Sequence, residues 1–446
     1  MKQILVLGAG KSAPYLIHYL LAASEEHDWV VTVGDIDLEA ARGAIANHSR
    51  GRAVQFDIND HEQLRGLVKE ADVVVHMLAP VFQSVIAAEC LALNTHMVSA
   101  SYRSKEVLGM SDAAAEKGVL LLTETGLDPG IDHMGAMAVI QSIKAGGGRI
   151  KAFRSYGSGI PAPDSRSNPL NYVITWNPWN VAMAGKLGAI YLERGNIKIV
   201  PGSRIFGYTW PVEVDGIGML EAYPNRDSLG YIDLFDLKHA DTMIRGTLRY
   251  PGWGETWQQI VDLGLPTQDM EIPDLQDRTY REVVEMLLPL NPEAGATTVR
   301  RLARLLNISP TGSIMENLEW LGLLSDEKVT SPGKTPADML TGLLEKRLPL
   351  RPEARDMVIL LHELEVEYDD RREHVTSTMI RYGEPSGFTA MAQTVGMPAA
   401  IAVKLLLTDK LQIRGSHIPV NPSIYQPILE ELAEEGIAFV DKTMPI

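Results

Sequence analysis

The stretch Ile4-Leu5-Val6-Leu7-Gly8-Ala9-Gly10-Lys11-Ser12-Ala13 decides the fold. Four consecutive apolar residues without alternation make a short strand buried on both faces. The strand runs directly into G-x-G-x-x-A, and Pro14 to Ala23 then carries a helical pattern. In this arrangement the first glycine permits a tight turn and the second lets backbone approach a pyrophosphate. The small Ala13 lets the helix pack closely on the sheet. Glycine turns are common, so the weight comes from the flanking strand and helix and from Asp35. That residue stands 27 positions beyond Gly8, at the end of the second strand. A carboxylate there holds adenosine ribose hydroxyls. Gly10-Lys11-Ser12 also suggests a P-loop, but the glycine that motif needs five residues earlier is Leu5. The stretch therefore reads as a dinucleotide turn. Asp35 repels a 2′-phosphate and Ile36 supplies no guanidinium, so NAD is favoured, with NADP possible. Arg42, one turn into the next helix, is more simply a solvated helix residue. Asp57, after the third strand, reads equally as a neighbour of adenine or as a turn carboxylate.

Working outward, the N-terminal third alternates strands and helices. Trp29–Val33, Val54–Phe56, Val73–His76, Met97–Val98 and Val119–Leu122 read as strands, with Leu38–Ala46 as a helix. That alternation predicts a Rossmann-type, doubly wound parallel sheet of the α/β class. Ala145-Gly146-Gly147-Gly148 breaks the pattern, and β-type segments follow around Ala152–Tyr156 and Arg204–Trp210. Ser309 to Leu361 reads as helical, Glu363–Arg381 as a hairpin turning at Asp369-Asp370, and Thr389–Leu407 and Ser423–Glu435 as helices. The 446 residues allow two or three domains. A hydrophobic content of 45% excludes a largely disordered chain. The net charge of −16 argues against nucleic acid and against an anionic membrane surface as partners. The first apolar run is too short for a signal peptide or a membrane span. One cysteine, Cys90, excludes an intrachain disulfide framework and fits a reducing cytoplasm; it reads as a core residue. No histidine pair has metal-ligand spacing, so no metal is expected.

Four polar clusters remain: Ser99 to Tyr102, Glu124 to His133, Ser155 to Pro163, and Tyr223 to Ser228 with Arg245 to Tyr250. The first two fall at carboxyl ends of predicted parallel strands, where open α/β sheets bind ligands. Read with GAGKSA at 8–13, SASY at 99–102, GLDPGIDHM at 126–134, SYGSGIPAP at 155–163, YPNRDS at 223–228, RGTLRYPG at 245–252 and MAQTVGMPAAIA at 391–402, the chain resembles glutamate-forming saccharopine dehydrogenases, also called saccharopine reductases. The resemblance runs essentially end to end.

The resemblance implies a Rossmann domain at 1–128 and 386–446, an α+β substrate-binding and dimerisation domain at 129–250 and 350–385, and a helical insertion at 251–349. It implies oxidation of saccharopine to L-glutamate and 2-aminoadipate 6-semialdehyde with a nicotinamide cofactor, or the reverse, in lysine metabolism. A cytoplasmic homodimer acting on a small amino-acid substrate is expected. The nucleotide contacts implied are Gly8, Gly10, Lys11, Ser12, Ala13, Asp35, Asp57, Ile58, Ala79, Pro80, Ser101 and Leu127. For a tricarboxylate substrate it implies Arg226 as clamp, with Thr247, Leu248 and Arg249 as a second contact and hydroxyls from Ser101 and Tyr102. Asp128 and Tyr102 are the catalytic candidates; Asp128 also reads as the cap of a helix starting at Pro129. His133 reads as packed or supporting, and Glu124 as a partner for Asp128. One departure stands out: many relatives carry a cysteine where this chain has Gly157. Two rivals keep the nucleotide turn: a same-fold reductase of the carboxynorspermidine or homospermidine type, and a nucleotide-binding sensor without catalysis.

Overall fold

In the computed structural model, which describes residues 1–290 and 295–446, the opening run becomes β1 (Lys2–Leu7). It is followed by β2 (Trp29–Asp35), β3 (Gly51–Gln55), β4 (Val73–His76), β5 (His96–Ser99) and β6 (Leu120–Leu122). Except in the edge strand β3, their apolar residues are buried on both faces because helices cover both sides, as unalternating strands require. Among the described residues the sheet has seven parallel strands, ordered Gly415–His417, β6, β5, β4, β1, β2, β3. The order reverses between β1 and β4, the switch point at which this class of sheet opens for ligands. Leu7 lies in register with Gly34 of β2 and His76 of β4, so the Gly8 turn starts at that point. Cys90 is buried beneath the sheet with Leu5, Leu7 and Leu121, and burial pushes its thiol pKa up.

The chain divides into two compact units, Met1–Arg149 with Met357–Leu360 and Tyr368–Ile446, and Ile150–Asp356 with Leu361–Glu367. The boundaries differ from the expected ones for identifiable reasons. The helix Ile131–Ala145 stays with the first unit, where Phe439 lies against Gly135; a Cβ on that glycine would stand 2.3 Å from the ring. The expected insertion at 251–349 does not form a unit of its own. Its first helix, Trp253–Asp262, stacks Trp253 on Tyr223 at a centroid distance of 5.9 Å, within the core of the second unit.

In the second unit the strand Thr242–Arg249 runs parallel to Arg149–Pro161 and antiparallel to Gly218–Pro224. The hairpin Ala189–Glu193 and Asn196–Val200 lies beside it. Two expectations fail here. Arg204–Trp210 is not a strand: Gly202–Gly207 is a 3-10 turn, and the strand begins at Trp210. Helix does not continue to Leu361, because Pro349 and Pro352 cannot extend the helix Pro336–Arg347; a strand runs instead over Asp356–Glu367. The chain then turns at Asp369-Asp370 into the strand Arg372–Tyr382, as expected.

The helix Ala390–Leu407 is long and apolar enough to cross a membrane by length and composition, yet 83% of it is buried inside the protein. It packs on the helix Pro14–Glu26 through Gly396, where a Cβ would stand 2.9 Å from the Leu16 Cβ. It is a core helix of the first unit.

His76, at the end of β4, is fully buried, with Nδ1 2.9 Å from the Ser99 hydroxyl. Burial pushes its pKa down to about 4. The imidazole therefore stays neutral in the fold while the unfolded chain takes up a proton below about pH 6.5, so stability is lost as pH falls through that window. Urea unfolding should show a loss of about 3 kcal/mol from this group between pH 7 and pH 4. His76→Gln should flatten that slope; an unchanged slope would mean that His76 titrates normally.

Candidate active site

The chain leaves β1 through Gly8, whose φ is +109°. A Cβ at that position would stand 2.9 Å from the Met77 carbonyl, so no other residue fits there. Gly10 is different: a Cβ there would meet nothing within 4 Å, so its outer side is open. Lys11 is exposed, Ser12 half-buried and Ala13 buried, with the Ala13 N–H donating to the Gly10 carbonyl at 2.9 Å. The helix Pro14–Glu26 that follows has no side-chain cap, which leaves its N-terminal dipole for an anion. Asp35 closes the turn from the other side. Its carboxylate accepts the Ala9 N–H at 2.7 Å and the Asp37 N–H at 2.9 Å. Arg42 is held by Glu39 at 2.6 Å on the exposed face of its own helix. Asp57 accepts both the backbone and the side-chain N–H of Asn59 at 2.9 Å, a turn carboxylate on the exposed rim beyond β3. Ile58 packs on the core beside it, and Ala79 and Pro80 are exposed just after β4. Open glycine, uncapped helix and strand-end carboxylate fit a bound dinucleotide.

The loops after β5 and β6 carry the second cluster. The Tyr102 hydroxyl donates to Asp128 Oδ1 at 2.9 Å, so the two catalytic candidates meet. Asp128 is not a helix cap. The helix starts at Ile131, after a cis Asp128-Pro129 peptide, and its N-cap residue is Gly130. The Gly130 N–H is taken by Asp132 Oδ1 at 2.7 Å. Leu127 is buried, and Ser101 lies beside Tyr102, its N–H bonded to the Ser99 hydroxyl at 3.2 Å. The Glu124 carboxylate, expected to partner Asp128, is directed at other groups. Its Oε1 accepts the Arg103 N–H at 3.0 Å, and its Oε2 lies 3.3 Å from His133 Nδ1. The other imidazole nitrogen, Nε2, lies 3.5 Å from Asp132 Oδ2. Asp132 falls inside the polar cluster singled out from the sequence but without a role, and sequence reasoning missed Gln83, whose Nε2 donates to the Ser99 hydroxyl at 3.1 Å and whose Oε1 accepts the Ser104 N–H at 3.0 Å. Both look like ordinary helix residues in one dimension.

In the second unit, Arg249 is only 6% exposed and sits among aromatic rings. Its guanidinium lies 4.9 Å from the Tyr172 ring centre and 5.1 Å from that of Trp253. Nη1 donates to the Leu248 carbonyl at 2.8 Å, while the buried Nε has no hydrogen-bond partner among the described residues. A cation this buried without a carboxylate at Nε suits an anionic ligand. Leu248 itself is a core side chain, and its carbonyl also accepts from Ser158. Thr247 stands in register with Tyr223 on one side and Gly157 on the other. Arg226 is exposed, with a left-handed backbone at φ +55°. Arg245 is buried against Tyr231, donating to its hydroxyl at 2.9 Å. Among the described residues no group of three His, Cys, Asp or Glu is placed to hold a metal ion.

Residues 4–122 match the family model for the saccharopine dehydrogenase NADP binding domain, and residues 126–437 match that for the saccharopine dehydrogenase C-terminal domain. The chain belongs to the saccharopine dehydrogenase family. The "Saccharopine dehydrogenase [NADP(+), L-glutamate-forming]" of Pyricularia oryzae is 32% identical over 452 residues, which cover 99% of each chain. The enzyme of the same name from Saccharomyces cerevisiae is also 32% identical, with 99% of each covered. The mitochondrial alpha-aminoadipic semialdehyde synthase of Bos taurus is 32% identical, and the match covers 99% of this chain and 48% of that one. The solved structure of the apo, histidine-tagged L-Glu-forming saccharopine dehydrogenase from Saccharomyces cerevisiae superposes with a TM-score of 0.88 at 31% identity, covering 100% of both chains. This member of the saccharopine dehydrogenase family thus has the Rossmann sheet that its sequence predicts, and the expected α+β part is built on a mixed second sheet.

Gly8 and Gly10 make opposite predictions for this dehydrogenase. Gly8→Ala forces a side chain into the Met77 carbonyl and should cost about 1–3 kcal/mol, read as a lower melting temperature. Gly10→Val adds its side chain to open space, so the melting temperature should hold while dinucleotide affinity, measured by fluorescence titration, falls about tenfold or more. Unchanged affinity in Gly10→Val would remove the nucleotide from this turn.

Proposed function

We propose that the protein is a glutamate-forming saccharopine dehydrogenase that oxidises saccharopine, with a nicotinamide dinucleotide and water, to L-glutamate and 2-aminoadipate 6-semialdehyde. The single observation that carries this reading is the Tyr102–Asp128 hydrogen bond of 2.9 Å at the carboxyl edge of the sheet whose β1 turn fits a dinucleotide. The nicotinamide, when bound, accepts a hydride from the carbon that bears the secondary amine. Loss of hydride leaves an imine, which water must hydrate before the carbinolamine collapses to aldehyde and amine. Each of these steps moves a proton over hydrogen-bond distance. Asp128 is the group that takes and returns that proton, and the Tyr102 hydroxyl fixes its Oδ1. The substrate carboxylates are assigned to Arg226 and Arg249, the latter because its buried Nε is without a hydrogen-bond partner among the described residues. A polyamine substrate would call for acidic groups in their place, so the arginines favour saccharopine over the polyamine-type reductions. The Tyr102–Asp128 pair counts against a sensor without catalysis.

For the cofactor we propose a preference for NAD. The Asp35 carboxylate stands at the end of β2, and the neighbouring Arg42 is committed to Glu39. The curated relatives carry NADP(+) in their names, so NADP is the competing cofactor. Within this reading the first unit binds the nucleotide, and the second unit carries Arg226 and Arg249 and meets a second copy of the chain. The homodimer rests on the resemblance, and a cytoplasmic location on the single buried cysteine.

Spectrophotometric oxidation of saccharopine with NAD and then NADP is the direct test. Turnover with at least one is expected; none with either would refute the assignment, and a clear NADP preference would overturn the Asp35 argument. Arg226→Ala should raise the saccharopine KM about tenfold or more while the cofactor KM stays put, since a charge-assisted pair is lost at the substrate alone. Equal effects on both would make Arg226 structural.

A further inference from the structure

The Tyr102 hydroxyl and the Asp128 carboxylate come from two loops, one after β5 and one after β6. A single side-chain hydrogen bond does not fix two loops, so other contacts must hold the backbone on each side. Around Tyr102 this is done by Glu124. Its N–H donates to the Ser101 carbonyl at 3.0 Å, and its Oε1 accepts the Arg103 N–H at 3.0 Å. One residue thus grips the chain immediately before and immediately after Tyr102. Glu124 does so from a left-handed backbone at φ +60°, a conformation that a glutamate adopts only when its surroundings over-determine it.

Around Asp128 the same arrangement recurs with Asp132. Its N–H donates to the Leu127 carbonyl at 3.0 Å, and its Oδ1 accepts the Gly130 N–H at 2.7 Å. The residues on either side of Asp128-Pro129 are therefore gripped by one carboxylate-bearing residue, as Ser101 and Arg103 are by Glu124. Each carboxylate has its second oxygen directed at the same imidazole: Glu124 Oε2 lies 3.3 Å from His133 Nδ1, and Asp132 Oδ2 lies 3.5 Å from His133 Nε2. All three side chains are buried, His133 to 1% exposure.

We infer that His133 is a positioning residue: it ties Glu124 to Asp132 and so holds the two backbone brackets that present Tyr102 and Asp128 to each other. The physical need is plain. Two buried carboxylates are poorly solvated, and burial of charge is tolerated only where it is paired. The imidazole lies within ion-pair distance of both, Glu124 at Nδ1 and Asp132 at Nε2. Leucine would fill the same space but would leave the two carboxylates without that partner, and each could then relax only by releasing its backbone N–H.

The inference rests on the proposed dehydrogenase reading for its kinetic arm only. Amide hydrogen exchange by mass spectrometry, on the full chain, reads the brackets directly through peptides spanning 99–104 and 126–134. His133→Leu should speed exchange in both peptides together. It should lower kcat for saccharopine oxidation by about 10- to 100-fold, as small misplacement of catalytic groups does. The cofactor KM should remain within about twofold, because the nucleotide turn is untouched. Asp132→Ala should act alike, whereas Asp132→Asn keeps an oxygen for the Gly130 N–H and should recover about tenfold of the lost kcat. If His133→Leu does not fold, the two Asp132 variants decide alone. Faster exchange in only one peptide would overturn the inference, as would unchanged kcat in a folded His133→Leu or equal losses in Asp132→Asn and Asp132→Ala. Failure of the unmodified protein to oxidise saccharopine would refute the functional reading instead, and the exchange results would still decide the bracket.

Discussion

The carboxyl edge of the parallel sheet depends on how the chain leaves β1. At Gly8 the backbone must take a φ of +109° while passing against the Met77 carbonyl of the neighbouring strand, and its N–H is bound by the Gly34 carbonyl at 2.8 Å. Gly34 lies in β2 and Met77 directly follows β4, on opposite sides of β1, so the turn is fixed from both directions. With the turn fixed, the Ala9 N–H faces Asp35, Gly10 faces open space, and the next helix points its uncapped end along the edge of the sheet. A single steric constraint thereby places Asp35, Gly10 and the helix start around one turn; the other loops at that edge are arranged beside it.

Charge is distributed against the grain of the composition. A chain with a net charge of −16 places one buried cation, Arg249, among aromatic rings. Ring faces offer a guanidinium partial compensation without consuming its hydrogen-bond donors, so the capacity to bind a carboxylate survives burial. The Glu124–His133–Asp132 group solves the converse problem, with two buried anions around one imidazole. Both arrangements keep polar groups where water is scarce, the first against ring faces and the second against the protein's own backbone.

Much of this was legible because it is local. Strand, glycine turn and helix follow one another in sequence, and Asp35 lies at a distance set by one strand–helix–strand repeat. The hairpin at Asp369-Asp370 is legible for the same reason. Local rules fail where tertiary contacts or irregular backbone decide. Asp128-Pro129 has the composition of a helix start, yet the helix waits until Ile131 and Asp132 supplies the oxygen that Asp128 was expected to supply. Arg204–Trp210 has the bulky residues of a strand but begins with a tight turn at Gly202. The contact of Glu124 with His133 crosses an irregular loop, whose geometry no periodicity encodes. Gly157 and Arg226 stand out in the sequence through their motifs, but their surroundings belong to tertiary structure.

The packing of the helix Ala390–Leu407 on the helix Pro14–Glu26 has a temporal side. Gly396 and Leu16 are almost the whole chain apart, and the strand Gly415–His417 that completes the sheet beside β6 comes later still. During synthesis the first six strands emerge with one flank of their core uncovered, and the whole second unit is made before the missing helix leaves the ribosome. Parallel pairing over such separations is slow. Nascent chains of this protein therefore expose apolar sheet for most of their translation, which makes them natural clients for chaperones that shield unfinished cores.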